Sequence, residues 1–277
     1  IMCGVTRSSG CGYIVVGKRA PKARRLYIEF GLTVFVPIFM SRAFLAALTL
    51  FALTLLTLAQ NQDPALEKAI ALLQEARTTL DEKALSDAAA YFAQLTQKDG
   101  NNATYYYYVA RMDAYRTDFY DNHKDKKSAE HVLDDGISAV QHAINLNDKS
   151  AEFHSLLADL YGRKIGFGGM FAGMRYGPKV DAESKRAFAL DPANPRVYAC
   201  LGRRYLFAPK MFGGDVNKSV ESFLKATQLD PKFDENFVWL AIAYRKKGDK
   251  ENADEALQEA LRLNSRSEFA KHTLEQK

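Results

Sequence analysis

Cysteine is scarce: three residues in 277, at positions 3, 11 and 200, which excludes a disulfide-stapled scaffold. Proline is scarce as well, with eight, and the seventeen glycines follow no fixed period, so the chain is neither collagen-like nor low-complexity. With 47% hydrophobic and 26% charged residues it is not a disordered tail. Downstream of Gln60 no segment alternates polar and apolar residues as a strand does. A dominant charge of one sign is also lacking once the leader is set aside. Residues 1–59 hold seven Lys/Arg (Arg7, Lys18, Arg19, Lys22, Arg24, Arg25, Arg42) against Glu29, and the remainder has 31 basic and 32 acidic residues. The formal charge of +5 therefore belongs to the leader, and nucleic-acid binding loses its compositional support.

The chain begins with Ile1, which is not an initiator, and residues 1–39 show no periodicity. They are expected not to be part of the mature protein. From Met40 the pattern changes: a short basic flank with Arg42, a charge-free run Ala43–Leu58, then Ala59 before Gln60. These are the parts of a secretory signal peptide, assigned to 40–59 with the mature domain at 60–277. The run of about 16 residues is short for a membrane span, which needs roughly 20. The alternative is an uncleaved N-terminal membrane anchor that also uses Leu26–Phe39. In the exported chain Cys200 stands alone inside an apolar helical run and is expected to be a buried structural thiol.

Beyond Gln60 nearly everything has helical periodicity. Phe237, Leu240, Ala241 and Tyr244, a Gly248-Asp249 turn, then Ala253, Leu257 and Ala260 describe two helices whose small residues allow close approach. The arrangement resembles the tetratricopeptide repeat, a helix hairpin of about 34 residues. Related groups recur at Tyr198–Leu229, Leu157–Leu190 and Tyr106–Leu146, and Ala88, Phe92 and Leu95 supply an earlier second helix behind an amphipathic stretch Pro64–Leu80. The steps Ala88→Ala110, Gly136→Ala158, Val180→Gly202 and Ser219→Ala241 are all 22 residues, and Ala241→Ala253 is 12. A 34-residue repeat demands both numbers. The expected fold is an all-α, right-handed solenoid of about four and a half hairpins. Gly202 and Ala241 fall where paired helices touch, so Gly202→Leu is expected to overpack the site.

Conventional reaction chemistry is missing. The histidines His123, His131, His142, His154 and His272 form no HExxH pair, and His154 takes a core position. The glycines of 166–173 and 213–214 match no phosphate-binding loop and follow no strand. No nucleophile elbow or Cys/His pair is present. No cofactor, metal or enzymatic activity is expected. The run Tyr105–Tyr108 must spread around a helix and reads as packing residues with hydroxyls reaching water or backbone.

Within repeats, Ala110→Gly136, Ala158→Val180 and Gly202→Ser219 exceed 12 residues by 14, 10 and 5. The extra residues all fall between a repeat's two helices, hence on one rim. Two of these segments are unusually apolar. Ile165–Pro178 carries Phe167, Met170, Phe171, Met174 and Tyr176, and Leu206–Asp215 carries Phe207, Met211 and Phe212. They are expected to be loops lying side by side in a joint cluster, with Phe171 against Phe212, or else to form a recognition surface. The run from Phe207 to Asp215 resembles uncharacterised exported bacterial tetratricopeptide repeat proteins, which implies a periplasmic location.

In such folds partners bind the concave face lined by first helices. Tyr107, Arg111, Asp159, Arg163, Arg203 and Arg245 occupy the stations expected to face it, with Phe171, Met174, Met211 and Phe212 on the rim. The chaperone-binding members of the family use Lys and Asn at these stations. Here Tyr107 and Arg111, Ser155 and Asp159, then Ala199 and Arg203 stand there, so that clamp is not reproduced. The expected function is a non-catalytic protein- or peptide-binding scaffold of the bacterial envelope. The alternative is a small-ligand-binding accessory of a transporter.

Overall fold

A computed structural model describes residues 63–275; the leader, the signal segment, Cys3 and Cys11 lie outside the described residues. Ten helices follow in order: α1 (Pro64–Thr79), α2 (Glu82–Lys98), α3 (Ala103–Asn122), α4 (Lys126–Leu146), α5 (Ala151–Leu190), α6 (Pro195–Phe207), α7 (Val216–Leu229), α8 (Asp234–Lys247), α9 (Lys250–Leu263) and α10 (Glu268–Glu275). No strand occurs among the described residues. The starts are written locally. Asp63, Asp81, Asn102, Asp125, Ser150, Asn194, Asp215 and Asp249 each precede a helix and accept a first-turn N–H on the side chain.

Helix α5 is two antiparallel arms. Gly169 alone leaves helical geometry, at φ 62° and ψ −142°, a region essentially restricted to glycine. Around it, Tyr161 lies against Tyr176 (ring centroids 5.5 Å) and His154 Nδ1 lies 2.6 Å from Glu183. Both pairs are centred on the same point of the sequence, as a hairpin requires. The described residues therefore form five hairpins and a final helix, all-α as the spacing implies. Pro64–Leu80 is the first helix of a full repeat rather than a prefix: Ala76 stands 12 residues before Ala88 and both are fully buried.

The repeat register holds in the packing. Ala88, Ala110, Gly136, Ala158, Val180, Gly202, Ser219, Ala241 and Ala253 are all buried. Ser219 Oγ donates to the Gly202 carbonyl at 2.9 Å, and Gly136 packs on the Ala110 carbonyl. His154 is 6% exposed and its ring also reaches the Asp148 carbonyl, so it ties the arms of α5 together. The Glu183 bond holds its pKa above the usual histidine value. Cys200 is buried, and burial pushes its thiol up to about 11.

Two inserted segments extend helices instead of making loops, a correction to the sequence reading. The surplus between Ala110 and Gly136 lengthens α3 and α4, which meet at a turn over 123–125. The surplus at 165–178 lengthens both arms of α5. At 1.5 Å per residue, five extra residues per arm carry its tip roughly 7–8 Å past a standard repeat. Gly166, Gly168, Gly173 and Gly177 stay helical because neighbouring turns continue the ladder on both sides. Only 208–215 is a true loop, with a short 3-10 turn at Lys210–Phe212.

The ends of this array meet. Arg77 on α1 donates to Asp234 (2.8 Å) and Glu235 (3.0 Å) on α8, Asn264 bridges Thr78 and Asp234, and Arg266 pairs with Glu75. The Arg77 and Asp234 side chains are only 4% and 2% exposed. First and last described hairpins are thus clasped, and the inner faces enclose a cup.

Candidate functional site

The cup is lined by first helices of successive repeats: Tyr107, Arg111 and Tyr115 from α3, Glu152, Ser155, Asp159 and Arg163 from α5, Arg196 and Arg203 from α6, and Glu235 and Trp239 from α8. It opens to solvent, with a cavity volume of about 90 Å³, room for one side chain. Five of the six concave residues expected from the sequence, Tyr107, Arg111, Asp159, Arg163 and Arg203, converge there. Arg245 does not line it. Relative to the small residue of their own first helix, the others stand at −3, +1 or +5, whereas Arg245 stands at +4. One residue is about 100° of helix rotation. Arg245 instead donates to the Thr273 carbonyl on α10 and lies 3.9 Å from Asp254.

Charges in the cup are mostly spent on one another. Asp159 accepts from Arg203 at 2.5 Å and lies 3.5 Å from Arg163, which also holds Asp118. Burial pushes the Asp159 carboxyl up, but Arg203 and Arg163 outweigh it and hold the group below its ordinary pKa. Arg196 pairs with Glu152 at 3.2 Å, and Glu235 takes both Arg77 and the Tyr115 hydroxyl, the latter at 2.9 Å. Arg203 also rests over the Trp239 ring at 5.5 Å.

Arg111 is different. It pairs with no carboxylate among the described residues. Its guanidinium lies 5.8 Å and 5.7 Å from the centres of the Tyr107 and Tyr108 rings, which attract a cation but do not neutralise it. The cup therefore presents one positive centre outside the closed ion pairs, backed by aromatic faces, with the Tyr115 hydroxyl and the Glu235 charge favouring its protonated form.

Glu152, Arg196 and Glu235 were missed from the sequence, yet all three stand six residues before the small residue of their helix. That is two turns before the +1 station, on the same face. Arg77 was missed too, although it holds the +1 station of the first repeat, in line with Arg111, Asp159 and Arg203.

The rim residues are not gathered as expected. Phe171 is 85% exposed and Phe212 55%, so the joint cluster does not form. Ile165, Phe167 and Tyr176 pack onto the core of α3–α5, and Leu206 is buried in that of α6–α10. Turning 165–178 into helix explains the split: one face of each arm packs inward, and Met170, Phe171 and Met174 are left on the outward side of the tip. A hollow of about 390 Å³ lies elsewhere, between α2, α3 and α4, beside Phe92, Val109, Asp113, Arg116 and His142. Burial pushes the Asp113 carboxyl up to about 7, although Arg116 accompanies it at 2.9 Å. No group of three or more His, Cys, Asp or Glu able to hold a metal occurs among the described residues.

Residues 72–208 match the family described as "Regulator of microtubule dynamics protein 1-3", and residues 235–267 match the tetratricopeptide repeat. No curated protein sequence matches the chain. Among solved structures it is similar to TTC0263, a thermophilic tetratricopeptide repeat protein of Thermus thermophilus, with 13% identity, 75% of this chain and 97% of that one covered, and a TM-score of 0.56. The HusA haemophore from Porphyromonas gingivalis aligns at 18% identity over 73% of this chain and 92% of its own, with a TM-score of 0.49. The first of these carries the comparison of folds.

Proposed function

From the premise that the chain is a tetratricopeptide repeat protein, we propose that it is a non-catalytic scaffold whose cup takes an anchor side chain from a protein or peptide partner. The observation that carries this reading is Arg111, a positive centre with no carboxylate within ion-pair distance among the described residues, in a recess the size of one side chain. The anchor is an acidic residue or a chain-terminal carboxylate, with the rest of the partner segment lying across the mouth. A guanidinium backed by aromatic faces offers its N–H edge for a bidentate bond to carboxylate. The family description at residues 72–208 names a task performed on a protein polymer, which agrees with a protein-binding surface rather than a reaction centre.

The cup favours this over a small-ligand accessory, because small-molecule sites occupy roughly 300–1,000 Å³. A small ligand would have to use the outer hollow by Asp113 instead. Location in the bacterial envelope is part of the proposal and rests on the leader pattern at 40–59.

The test is fluorescence anisotropy with two labelled peptide pools, one rich in Asp and Glu with a free C-terminus and one in which these are Asn and Gln and the C-terminus is an amide. The full chain should retain the acidic pool, and Arg111→Ala should weaken that retention about tenfold or more, the size of a lost charge-assisted pair. Equal binding of both pools, or unchanged binding by Arg111→Ala, would overturn the reading.

A further inference from the structure

The rim that carries the turns within repeats combines two features that water alone does not favour. The first is apolar. At the tip of the α5 hairpin Met170, Phe171 and Met174 are 78%, 85% and 68% exposed, and beside the next turn Phe207, Met211 and Phe212 are 62%, 83% and 55% exposed. Six large apolar side chains so open on two neighbouring turns constitute a patch that needs an explanation.

The second feature is charge. Leaving out the cup residues, the turn segments 164–181 and 204–218 each hold three cations and one acid, Asp181 and Asp215 respectively. The domain from residue 60 onward is otherwise balanced, with 31 basic and 32 acidic residues. Several of the rim cations have no acidic partner. Lys124, Arg175, Lys179, Lys210 and Lys246 pair with no carboxylate among the described residues.

Neighbouring turns are joined at their backbones. Lys126 beside the α3–α4 turn donates to the Phe167 carbonyl at 3.0 Å, and Lys246 beside the α8–α9 turn donates to the Leu206 carbonyl. Arg204 on α6 pairs with Asp181 on the second arm of α5 at 2.5 Å. The apolar tips are thus held on rigid helices, with cations around them.

We propose that this rim docks on the surface of an anionic phospholipid bilayer. Met170, Phe171, Met174, Phe207, Met211 and Phe212 enter the boundary between headgroups and acyl chains, while Lys124, Arg175, Lys179, Lys210 and Lys246 meet lipid phosphates. Apolar side chains ringed by Lys and Arg are the chemistry of interfacial membrane binding. A protein partner would be satisfied by apolar area with balanced charge, whereas a surround in which cations outnumber acids, with Asp181 held by Arg204 and Asp215 capping α7, matches a uniformly anionic plane. Among the described residues no helix is long and apolar enough to cross a membrane, so the contact is one of lying on the surface. None of these residues lines the cup.

The experiment uses the full chain with Cys3→Ser and Cys11→Ser, and Met174→Cys, Met211→Cys or Lys149→Cys labelled with an environment-sensitive dye. Lys149 lies in a turn between repeats and serves as the control. Vesicles are phosphatidylcholine alone, or phosphatidylcholine with 30% phosphatidylglycerol and brominated acyl chains in either case. Labels at 174 and 211 should shift blue and be quenched by the anionic vesicles, with affinity roughly tenfold or more above that for neutral ones. The label at 149 should stay in water, and Arg175→Glu with Lys210→Glu should remove the preference for anionic lipid. Three results would overturn the proposal: labels at 174 and 211 that stay in water while the protein sediments with vesicles, quenching at 149 equal to theirs, or a concentration-dependent blue shift without vesicles, which would make the rim a contact between two copies.

Discussion

Gly202 offers a sharp test of the repeat packing. A β-carbon built there would stand 2.7 Å from Cε1 and Cζ and 2.8 Å from Cε2 of Phe223, where ordinary contacts begin near 3.4 Å. The Phe223 ring has no exposure and lies nearly parallel to Trp239, with centroids 6.3 Å apart and planes 11° from parallel. It can only retreat against Trp239, which lines the cup. Gly202→Ala should gain the usual helix propensity of about 0.5–1 kcal/mol. It should lose about 1–3 kcal/mol to overpacking. The net effect is a destabilisation of up to about 2.5 kcal/mol, or a melting temperature lowered by up to about 10 °C for a domain of this size. Gly162 is the internal control: it is helical in the first arm of α5, and a β-carbon there meets nothing within 4 Å. Gly162→Ala should therefore raise the melting temperature. Urea titration and calorimetry of the two variants measure the contrast. If both substitutions shift stability in the same direction, the packing argument is refuted.

Two further outcomes concern buried charge. Asp113 binds a proton up to about pH 7 when folded against about 3.8 in the open chain, so stability falls as pH rises from about 4 to 7 and is level above that. Asp113→Asn should gain on the parent protein across this window by at most about 4 kcal/mol, since each pKa unit is about 1.36 kcal/mol; urea midpoints at pH 4.5 and 8 check it, and a gain independent of pH would exclude the mechanism. Arg77→Ala leaves Asp234 buried without its main partner and should cost about 3–5 kcal/mol, the range for a broken buried pair. A variant with an unchanged thermal melt would mean that the ends are not clasped in solution.

The helices and the repeat register were legible because they rest on local periodicity and on a fixed spacing of small residues. Five of the cup residues followed from the same spacing. Arg245 went wrong by a single position, since a one-residue error on a helix turns a side chain away from the groove. Arg77 and Glu235 could not be paired from sequence at all. They come together only after three intervening hairpins have accumulated their rotation, and no local pattern encodes that sum. The nature of 165–178 was misjudged for another reason. Its glycines read as loop punctuation, but the extended arms pack as helix and need a glycine conformation only at Gly169.

The clasp also alters how the repeats depend on one another. In an open array each end has one neighbour, frays first, and passes its instability inward step by step. Joining the first and last described hairpins removes that boundary, as in a chain of coupled units with periodic ends. Opening any one hairpin then breaks two interfaces, and amide exchange in α1 and α9 becomes tied to that of the centre.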